Sequence, residues 1–510
     1  MIEILDCTLR DGGYYTDWDF EDSFLDMYFR TIRELKIKHV EIGYRNTQTS
    51  QYYGEFFYCE HSTLSYITER LDSDVEIYIM FDAKNQTKNS VSQSLKGLDK
   101  KRVTIRLASA PENLKETVKI SSEIKKYGFK VAINIMYLHA YIDSKRIENM
   151  CKIISNNADI VYLVDSYGSC LPQEVSFAVR EFVRLLECKI GFHGHNNMEL
   201  GVSNSLASVQ AGAEMVDATF GGLGRGAGNT RTEIIFPMFS KLNLITQKTS
   251  ASSLHWLSRI DEKLKEFREL YNWGANLPYI ISGIMKVPQA NIMELYKTRR
   301  FGCSAIVNNA LSHCCEKTET EPKYSSVELK GPIVLCVAGG IGQIRNKEIL
   351  SNFINGYSES VICIGARSIV DSENILNNEK LSKVAILGYD ELYKIDVLIK
   401  VLENFDHVTI IGDVSEDLNF SYTQVLQTSI TVMNPLEVAF GMVKDNRHIK
   451  TLGLIGFSSK GDILSKNLEE ENTKLINWLL SDRIDLEIAS FSNISYVDNY
   501  KSIFNGEWNG

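Results

Sequence analysis

The sequence predicts an α/β protein made of a closed eight-stranded barrel, a small helical domain and a second, open α/β domain. Eight short runs rich in β-branched and aromatic residues begin 26 to 37 residues apart in the first part of the chain. Segments with helical spacing separate these runs, which is typical of parallel β–α units. A second series of strand-like runs begins near residue 330, after a stretch that lacks them.

The first series predicts a (β/α)8 TIM barrel over residues 1–250. In chain order its runs are IEIL, KHVEIGY, VEIYIMF, RVTIRLA, KVAINIMY, IVYLVD, KIGFHGH and MVDATF. Eight units in this length match such a barrel. An open doubly wound sheet is the alternative, but the count of eight and the polar residues at the strand ends favour closure. One intervening helix is predicted from Leu114 to Gly128, with the glycine at its C-cap.

Residues 251–325 predict a helical domain. The segment from Ala251 to Trp273 carries apolar residues at three- and four-residue spacing, and PYIISGIMK and ANIMELYKTRRF continue that pattern. From Glu321 the chain turns polar, which predicts a linker. Residues 330–510 then predict a Rossmann-like domain of unknown role. Its strand-like runs are PIVLCVAGG, SVICIGA, KVAILGYD, HVTIIGD, TSITVM, TLGLIGF and LEIAS.

Composition narrows the function classes. The chain has 510 residues and a net charge of -10, and its 44% hydrophobic and 24% charged residues are close to the globular average. The sequence lacks the cluster of Lys and Arg residues that a nucleic-acid-binding surface needs, so no nucleic-acid partner is expected. It also has no apolar run long enough to span a membrane. Glu3, Asp6, Arg10 and Asp11 interrupt any apolar signal region, so a cytoplasmic location is expected.

The cysteines support the same expectation. None of the ten forms a C-x-x-C pair, and several lie in apolar runs, which indicates buried thiols in a reducing compartment. The adjacent Cys314 and Cys315 leave metal binding open as an alternative.

Chemistry-bearing residues follow strands one, seven and eight. Asp11 follows the first run, His193 and His195 end the seventh, and Asn229 follows the eighth. These strands are neighbours in a closed barrel, so their carboxyl ends share one face. A carboxylate, two imidazoles and an amide oxygen suit Mn²⁺, Mg²⁺, Co²⁺ or Zn²⁺, and the lack of thiolates argues against structural zinc.

Each feature alone has a simpler interpretation. The H-x-H pair could be packing, Asp11 could cap a helix, and GGLGRGAGN could be a phosphate-binding turn. Their convergence on one barrel end favours the metal site.

The segments LDCTLRDGGYY, FHGHNN and GGLGRGAGNT resemble the DRE-TIM metallolyase superfamily over roughly residues 1–300. That group includes 4-hydroxy-2-oxovalerate aldolase, hydroxymethylglutaryl-CoA lyase and isopropylmalate synthase. Because the glycine-rich loop has no cysteine, the chain is more similar to the HMGL-like 2-oxo-acid aldolases than to the CoA lyase. The resemblance implies that Asp11, His193 and His195 bind a divalent ion, with Mn²⁺ expected first. Asn229 is then a further ligand or a close neighbour.

The resemblance also implies other site residues. Arg10 would stabilise an enolate oxygen, and Glu41 would order the site around the metal and Arg10. Glu41 could equally be a strand-end carboxylate paired with Arg10 or Arg45. Tyr279 matches a helical-domain tyrosine that reaches the same site.

A mechanism follows from these residue types. A 2-oxo acid such as pyruvate can chelate the ion, which stabilises the enolate formed when C3 loses a proton. Arg10 adds a fixed cationic donor, and no lysine Schiff base is required. The enolate then attacks an aldehyde, or forms when a C–C bond breaks.

One departure from the aldolases concerns Tyr14, which stands where they carry a histidine. Tyrosine is a poorer base at neutral pH, so Tyr14 would donate a proton to the aldehyde oxygen, with metal-bound water as the base, or would simply line the pocket. Asp165 and Ser166 are predicted to line the pocket. Arg106 either binds a carboxylate or phosphate or is an inward structural arginine.

In the second domain, GGIGQ follows an apolar run, so Gly339, Gly340 and Gly342 are candidate residues for a nucleotide or sugar-nucleotide. The full G-x-G-x-x-G spacing is absent, and a role in oligomerisation or substrate handling is the alternative.

The leading hypothesis is a metal-dependent aldolase acting on a 2-oxo acid and an aldehyde, with surface-sugar biosynthesis as its suggested pathway. The alternatives are an acyl-CoA-dependent Claisen condensing enzyme or lyase, a bifunctional aldolase with a nucleotide-binding second domain, and a non-catalytic scaffold. A homo-oligomer is expected. Aldolase relatives dock a dehydrogenase, and the second domain could replace that partner.

Overall fold

The described part of the chain falls into two compact units, Met1–Met293 and Glu294–Gly510. The structure is a computed structural model. It describes residues 1–46, 52–83, 88–298, 303–312, 329, 333–337, 360–365, 382–387, 405–411, 423–426, 435–455, 463–490 and 501–502.

The first unit contains a closed barrel of eight parallel strands, as the sequence predicts. Each strand pairs with the next, and β1 pairs with β8 to close the barrel. Their bounds are β1 Glu3–Asp6, β2 His39–Tyr44, β3 Glu76–Asp82, β4 Val103–Ser109, β5 Lys130–Ile135, β6 Ile160–Asp165, β7 Lys189–Gly194 and β8 Met215–Ala218.

Helices alternate with these strands along the chain. They are α1 Thr8–Thr16, α2 Asp22–Leu35, α3 Glu55–Tyr58, α4 His61–Arg70, α5 Lys88–Ser94, α6 Leu114–Lys126, α7 Ser144–Ile154, α8 Pro172–Leu185, α9 Gly201–Gln210 and α10 Thr232–Lys241. The prediction for α6 is confirmed, since Gly128 follows its C-cap with φ of +84°.

Four further helices follow where helical spacing is found in the sequence: α11 Ala251–Tyr271, α12 Leu277–Met285, α13 Gln289–Thr298 and α14 Cys303–Ser312. Leu257, Ile260 and Leu264 of α11 are buried in the same apolar cluster as the barrel helices. Residues 251–325 as a separate helical domain therefore stay a prediction. Among the residues described, no helix combines the length and apolar character needed to cross a membrane.

Side chains that point into the barrel fill its interior. Leu5, Tyr78, Ala132, Ile160, Tyr162 and Met215 form this inner cluster. A β-carbon on Gly191 would lie 2.4 Å from the Tyr162 ring, so the glycine makes room for that ring. The Tyr162 hydroxyl contacts the Met215 sulfur at 3.3 Å. The barrel is therefore a packed core, and its chemistry is confined to the ends.

A β-bulge shapes the carboxyl end of β2. The pairing of β2 with β3 shifts register between Glu41 and Gly43. A β-carbon on Gly43 would lie 1.9 Å from the carbonyl oxygen of Phe56, so only glycine fits there. Glu41 of this segment is fully buried.

The described strands of the second unit form one parallel sheet in the order β13-β12-β11-β10-β9-β14-β15-β16. The strands are β9 Ile333–Val337, β10 Ser360–Gly365, β11 Ser382–Leu387, β12 His407–Ile411, β13 Thr423–Leu426, β14 Thr451–Ile455, β15 Glu487–Ser490 and β16 Lys501–Ser502, with helices α15 Pro435–Asp445 and α16 Ile463–Asp482. The strand order reverses between β9 and β14, as in doubly wound sheets.

Six of the seven runs predicted for this sheet contain described strands. The predicted run TSITVM lies outside the described residues, as do the candidate glycines Gly339, Gly340 and Gly342 and the pair Cys314 and Cys315. The segment TQVL forms β13, and β13 and β16 are strands that the sequence pattern did not predict.

Candidate metal centre at the carboxyl end of the barrel

Three neighbouring strands bring the predicted ligands together. Asp11 lies in the first turn of α1, directly after β1. His193 lies in β7, and His195 follows that strand. Asn229, in the loop after β8, forms an isolated backbone bridge with His195. Asp11, His193 and Asn229 are each no more than 3% exposed.

Asp11 is the centre of this group. Its Oδ2 atom accepts a hydrogen bond from Nδ2 of Asn229 at 2.6 Å and lies 3.6 Å from Nε2 of His193. Burial acts to raise the pKa of Asp11, but the Arg10 guanidinium beside it and the hydrogen bond from Asn229 favour the ionised form, and the pKa falls. Asp11 is therefore an ionised carboxylate, as a metal ligand must be.

Each histidine is oriented through its Nδ1 atom. His193 Nδ1 lies 2.8 Å from Oδ2 of Asp217, and His195 Nδ1 lies 2.9 Å from the carbonyl oxygen of Ser166. Burial is the main cause that lowers the pKa of both rings, so both are neutral. A neutral ring that donates from Nδ1 presents a lone pair on Nε2, which is the arrangement of metal-bound histidines.

A buried charge network lies beneath the ligands. Arg10 Nε donates to Oε2 of Glu41 at 2.8 Å, and Arg106 Nη1 donates to the same oxygen at 3.0 Å. Arg106 Nη2 donates to Oδ2 of Asp217 at 2.7 Å. Arg10 also hydrogen bonds Asp11 directly. Two arginines thus pair with three carboxyl groups in a site buried away from water, where an unpaired charge would be costly.

This network decides between two sequence alternatives. Arg106 is fully buried, stacks on Tyr162 with its guanidinium carbon 4.1 Å from the ring centre, and binds two carboxylates of the barrel. It is therefore the inward structural arginine. The two interpretations of Glu41 are compatible, because the hydrogen bond that pairs Glu41 with Arg10 is also the contact that would hold Arg10 in place at the site.

The donor set fits a divalent ion. Oδ1 of Asn229 is buried and has no hydrogen-bond partner, although its amide nitrogen is bonded. A buried amide oxygen without a partner, beside an ionised carboxylate and the free Nε2 atoms of neutral histidines, is an unsatisfied group that a cation would complete. Asp11, His193, His195 and Asn229 are the residues that would hold the ion.

Cys7 is a neighbour that sequence reasoning did not assign. Its sulfur, one oxygen of Asp11 and one ring nitrogen of His193 all lie within 4.8 Å of one another. Burial, with the charge of Asp217 next, raises the pKa of the Cys7 thiol well above its usual value, and the sulfur contacts the carbonyl oxygen of Ala218 at 3.4 Å. Cys7 is thus a neutral thiol at the edge of the site.

Tyr14 lies at the mouth of the barrel end and is partly exposed. Its hydroxyl is 2.8 Å from the hydroxyl of Tyr44, which ends β2. Burial raises the pKa of Tyr44 well above its usual value, and the neighbouring Tyr14 adds to this. The Tyr14 ring packs against Trp18, with ring centres 5.0 Å apart. This pair of hydroxyls can donate or accept hydrogen bonds beside the predicted ligands.

Two further predicted residues have other surroundings. Tyr279 is buried in α12, and its carbonyl oxygen accepts a hydrogen bond from Asn197, which follows β7. Its assignment to the site stays a prediction. Asp165 is fully buried and accepts hydrogen bonds from the backbone amides of Ser169 and Cys170. The expectation that Asp165 lines the pocket is therefore wrong, because it stabilises a turn.

Asp217 is the most important residue that the sequence reasoning missed. It lies in β8, in the run MVDATF, and a lone acidic residue in a buried strand is the signal that could have found it. Tyr44 and Arg225 were also missed, although both lie within segments that drew attention.

Known proteins resemble the first unit. The HMGL-like family model matches residues 81–260. A 4-hydroxy-2-oxovalerate aldolase of Geobacillus genomosp. 3 is 29% identical over 248 residues, which are 48% of this chain and 72% of the relative. A second one, from Pelotomaculum thermopropionicum, is 42% identical over 118 residues, but the match covers only 23% of this chain and 34% of the relative.

A solved structure is similar to a larger share of the chain than these relatives are. The N-terminal domain of a Bacteroides vulgatus protein described as an aldolase is 34% identical, with a TM-score of 0.53. The match covers 58% of this chain and 97% of that domain. The chain therefore belongs, through its N-terminal barrel unit, to the HMGL-like family of the DRE-TIM superfamily.

Proposed function

We propose that the protein is a divalent-metal-dependent aldolase that joins or splits a 2-oxo acid and an aldehyde. The observation that carries this proposal is the convergence of Asp11, His193, His195 and Asn229 beside Arg10 at the carboxyl end of the barrel. Such a site suits reactions in which a carbon loses a proton and negative charge develops on the oxygen of the neighbouring carbonyl group.

A divalent ion held by these residues would act as a Lewis acid on the oxygens of the 2-oxo acid. The family resemblance makes Mn²⁺ our first choice of ion. The donor set of one carboxylate oxygen, one amide oxygen and two imidazoles is compatible with Mg²⁺, Co²⁺ and Zn²⁺ as well.

Arg10 contributes a fixed positive charge to the same reaction. Glu41 holds its Nε atom at 2.8 Å, so the guanidinium does not reorient as charge develops on the keto oxygen of the substrate. Because the arginine is only 6% exposed, water screens its charge weakly. Removing one such preorganised donor costs about 3–4 kcal/mol of transition-state stabilisation.

We assign the second proton to Tyr14, and the contact of its hydroxyl with that of Tyr44 supports this role. In the joining direction C3 of the 2-oxo acid gives a proton to a water molecule, and the electron pair left behind forms the new bond to the aldehyde carbon. The aldehyde oxygen then takes a proton, which gives a 4-hydroxy-2-oxo acid. We propose that Tyr14 supplies that proton and is reprotonated by the water that took the proton from C3. Burial raises the pKa of Tyr44, so Tyr44 keeps its own proton and hydrogen bonds the oxygen of Tyr14.

The remaining proposals concern the rest of the chain. We propose a homo-oligomer in the cytoplasm and a Rossmann-like second domain, whose parallel sheet with one reversal of strand order supports that assignment.

The proposal is tested by proton exchange. The full chain is stripped with EDTA, reloaded with Mn²⁺ and incubated with pyruvate in D2O, and the loss of the C3 protons is followed by NMR. We expect exchange only in the reloaded protein, and none with His193→Ala. His255→Ala, an exposed histidine of α11, is the matched control and should exchange normally.

Two outcomes would reject the aldolase proposal. One is full exchange in the EDTA-treated protein, which would exclude a metal mechanism. The other is condensation of acetyl-CoA with a 2-oxo acid without any turnover of pyruvate with aldehydes, which would favour the acyl-CoA alternative.

A further inference from the structure

Arg225 is a cation that the proposed mechanism does not use. It lies in the glycine-rich loop between β8 and α10 and is partly exposed. Among the residues that the structure describes, its side chain forms no ion pair and no hydrogen bond. The neighbouring arginines differ, since Arg10 and Arg106 each bind Glu41 and Arg231 Nε lies 2.6 Å from Glu233. An unpaired arginine among paired ones indicates a partner that comes from outside the chain.

The position of Arg225 relates it to the candidate site. Its guanidinium carbon lies 4.6 Å from the centre of the Tyr14 ring. Arg225 therefore lies against the ring of Tyr14, the residue proposed to protonate the aldehyde oxygen.

The loop that carries Arg225 is held in place from several sides. The Tyr15 hydroxyl donates to the carbonyl oxygen of Gly226 at 3.2 Å, and the Ala227 amide donates to Oε1 of Gln289 at 3.0 Å. Gly226 has φ of +61°, and a β-carbon there would lie 1.9 Å from Oε1 of Gln289. The backbone beneath Arg225 is thus anchored from α1 and α13, which lowers the entropy lost when the side chain binds a ligand.

Stacking prepares the guanidinium for an anion. An arginine laid on an aromatic face is fixed in plane while its N–H groups stay available, and the planar fork matches a carboxylate or a phosphate. Arg10 and the metal ligands already serve the 2-oxo acid. The anion for Arg225 must then belong to the other substrate, whose aldehyde oxygen is expected beside Tyr14.

We propose that Arg225 binds an anionic group on the acceptor aldehyde, so that the enzyme prefers acceptors that carry a carboxylate or a phosphate over neutral ones. This inference rests on the proposed aldolase function and names the class of its second substrate.

The test compares acceptors with the Mn²⁺-loaded full chain and pyruvate. Propanal is the neutral acceptor, glyoxylate carries a carboxylate and glycolaldehyde phosphate carries a phosphate. Comparing the two charged acceptors shows whether Arg225 prefers a carboxylate or a phosphate. We expect kcat/KM for at least one charged acceptor to exceed that for propanal by about 10- to 100-fold, the range of one charge-assisted hydrogen-bonded contact. Arg225→Met should reduce that ratio at least tenfold, mainly through KM of the charged acceptor.

Three further variants sharpen the result. Arg225→Gln also removes the charge but keeps a polar side chain. It should lower the ratio of kcat/KM for charged over neutral acceptors in the same way, and it replaces Arg225→Met if that variant does not fold. Arg225→Lys should recover part of the preference because it restores the charge. Arg231→Met removes a paired arginine at the end of the same loop, and the ratio should stay within about twofold of the wild-type value.

Failure of this inference can be told apart from failure of the proposed function. If wild-type protein does not exchange the C3 protons of pyruvate, the aldolase function itself is rejected. If exchange occurs but wild-type protein prefers propanal, or if Arg225→Met and Arg225→Gln keep the charged preference, the assignment of Arg225 is overturned.

Discussion

The contact between Asp217 and His193 predicts how tightly the site holds a metal ion. Asp217 is 1% exposed, and its Oδ2 atom accepts from His193 Nδ1 at 2.8 Å. The substitution Asp217→Asn keeps the shape and one acceptor oxygen for Arg106, but it weakens the contact that fixes the histidine tautomer. Loss of such a supporting carboxylate lowers metal affinity about 10- to 100-fold, or about 1.4–2.7 kcal/mol.

In the assay, metal-stripped protein is titrated with Mn²⁺, and the concentration of unbound Mn²⁺ is measured by electron paramagnetic resonance. Asp6→Asn is the matched control, because Asp6 is equally buried but bonds the Thr8 amide and the Tyr28 hydroxyl instead of a histidine. Its Mn²⁺ affinity should stay within about twofold of wild type. Unchanged affinity in folded Asp217→Asn protein would refute the reasoning that Asp217 orients His193 for a metal ion.

Three other predictions concern proton transfer, pH and packing. Tyr14→Phe should slow addition to the aldehyde about 10- to 100-fold more than it slows proton exchange of pyruvate, as measured by NMR on both reactions; equal slowing would contradict a role as proton donor. Burial raises the pKa of Asp6 from 3.8 to about 6, so its contribution to stability is complete below pH 3.8 and is lost as pH rises through about 6. Urea unfolding should therefore show Asp6→Asn gaining up to about 3 kcal/mol over wild type between pH 4 and pH 7, and a constant difference would contradict this. Gly43→Ala places a β-carbon 1.9 Å from the Phe56 carbonyl oxygen and should destabilise the protein by about 1–3 kcal/mol in the same assay, whereas unchanged stability would show that the bulge can relax.

The strands of the barrel could be predicted because of how they are buried. A parallel strand covered on both faces must be apolar along its length, so each of the eight appears as a continuous apolar run. The second sheet shows the limit of that signal. TQVL forms β13 although two of its four residues are polar, and periodicity alone did not mark it as a strand.

The candidate ligands could be predicted because they lie at or just after strand ends, where a barrel gathers its functional residues. Asp217 was missed because it is a single acidic residue inside the apolar run of β8, without the two-residue spacing that marks His193 and His195 as a pair. Arg106 left two interpretations open, because a buried arginine and a substrate-binding arginine give the same pattern within a strand.

The sequence by itself determined which residues are available at the barrel end, since strand order places Asp11, His193 and Asn229 at one end and the two-residue alternation lets His193 and His195 face the same side. Only the tertiary structure decided their partners. Asp11 and Asn229 are 218 residues apart, and Arg106 and Asp217 are 111 apart, yet closure of the barrel brings each pair within hydrogen-bond distance. The alternation of side chains along a strand fixes a direction, whereas the contacts that orient a histidine depend on how all eight strands close.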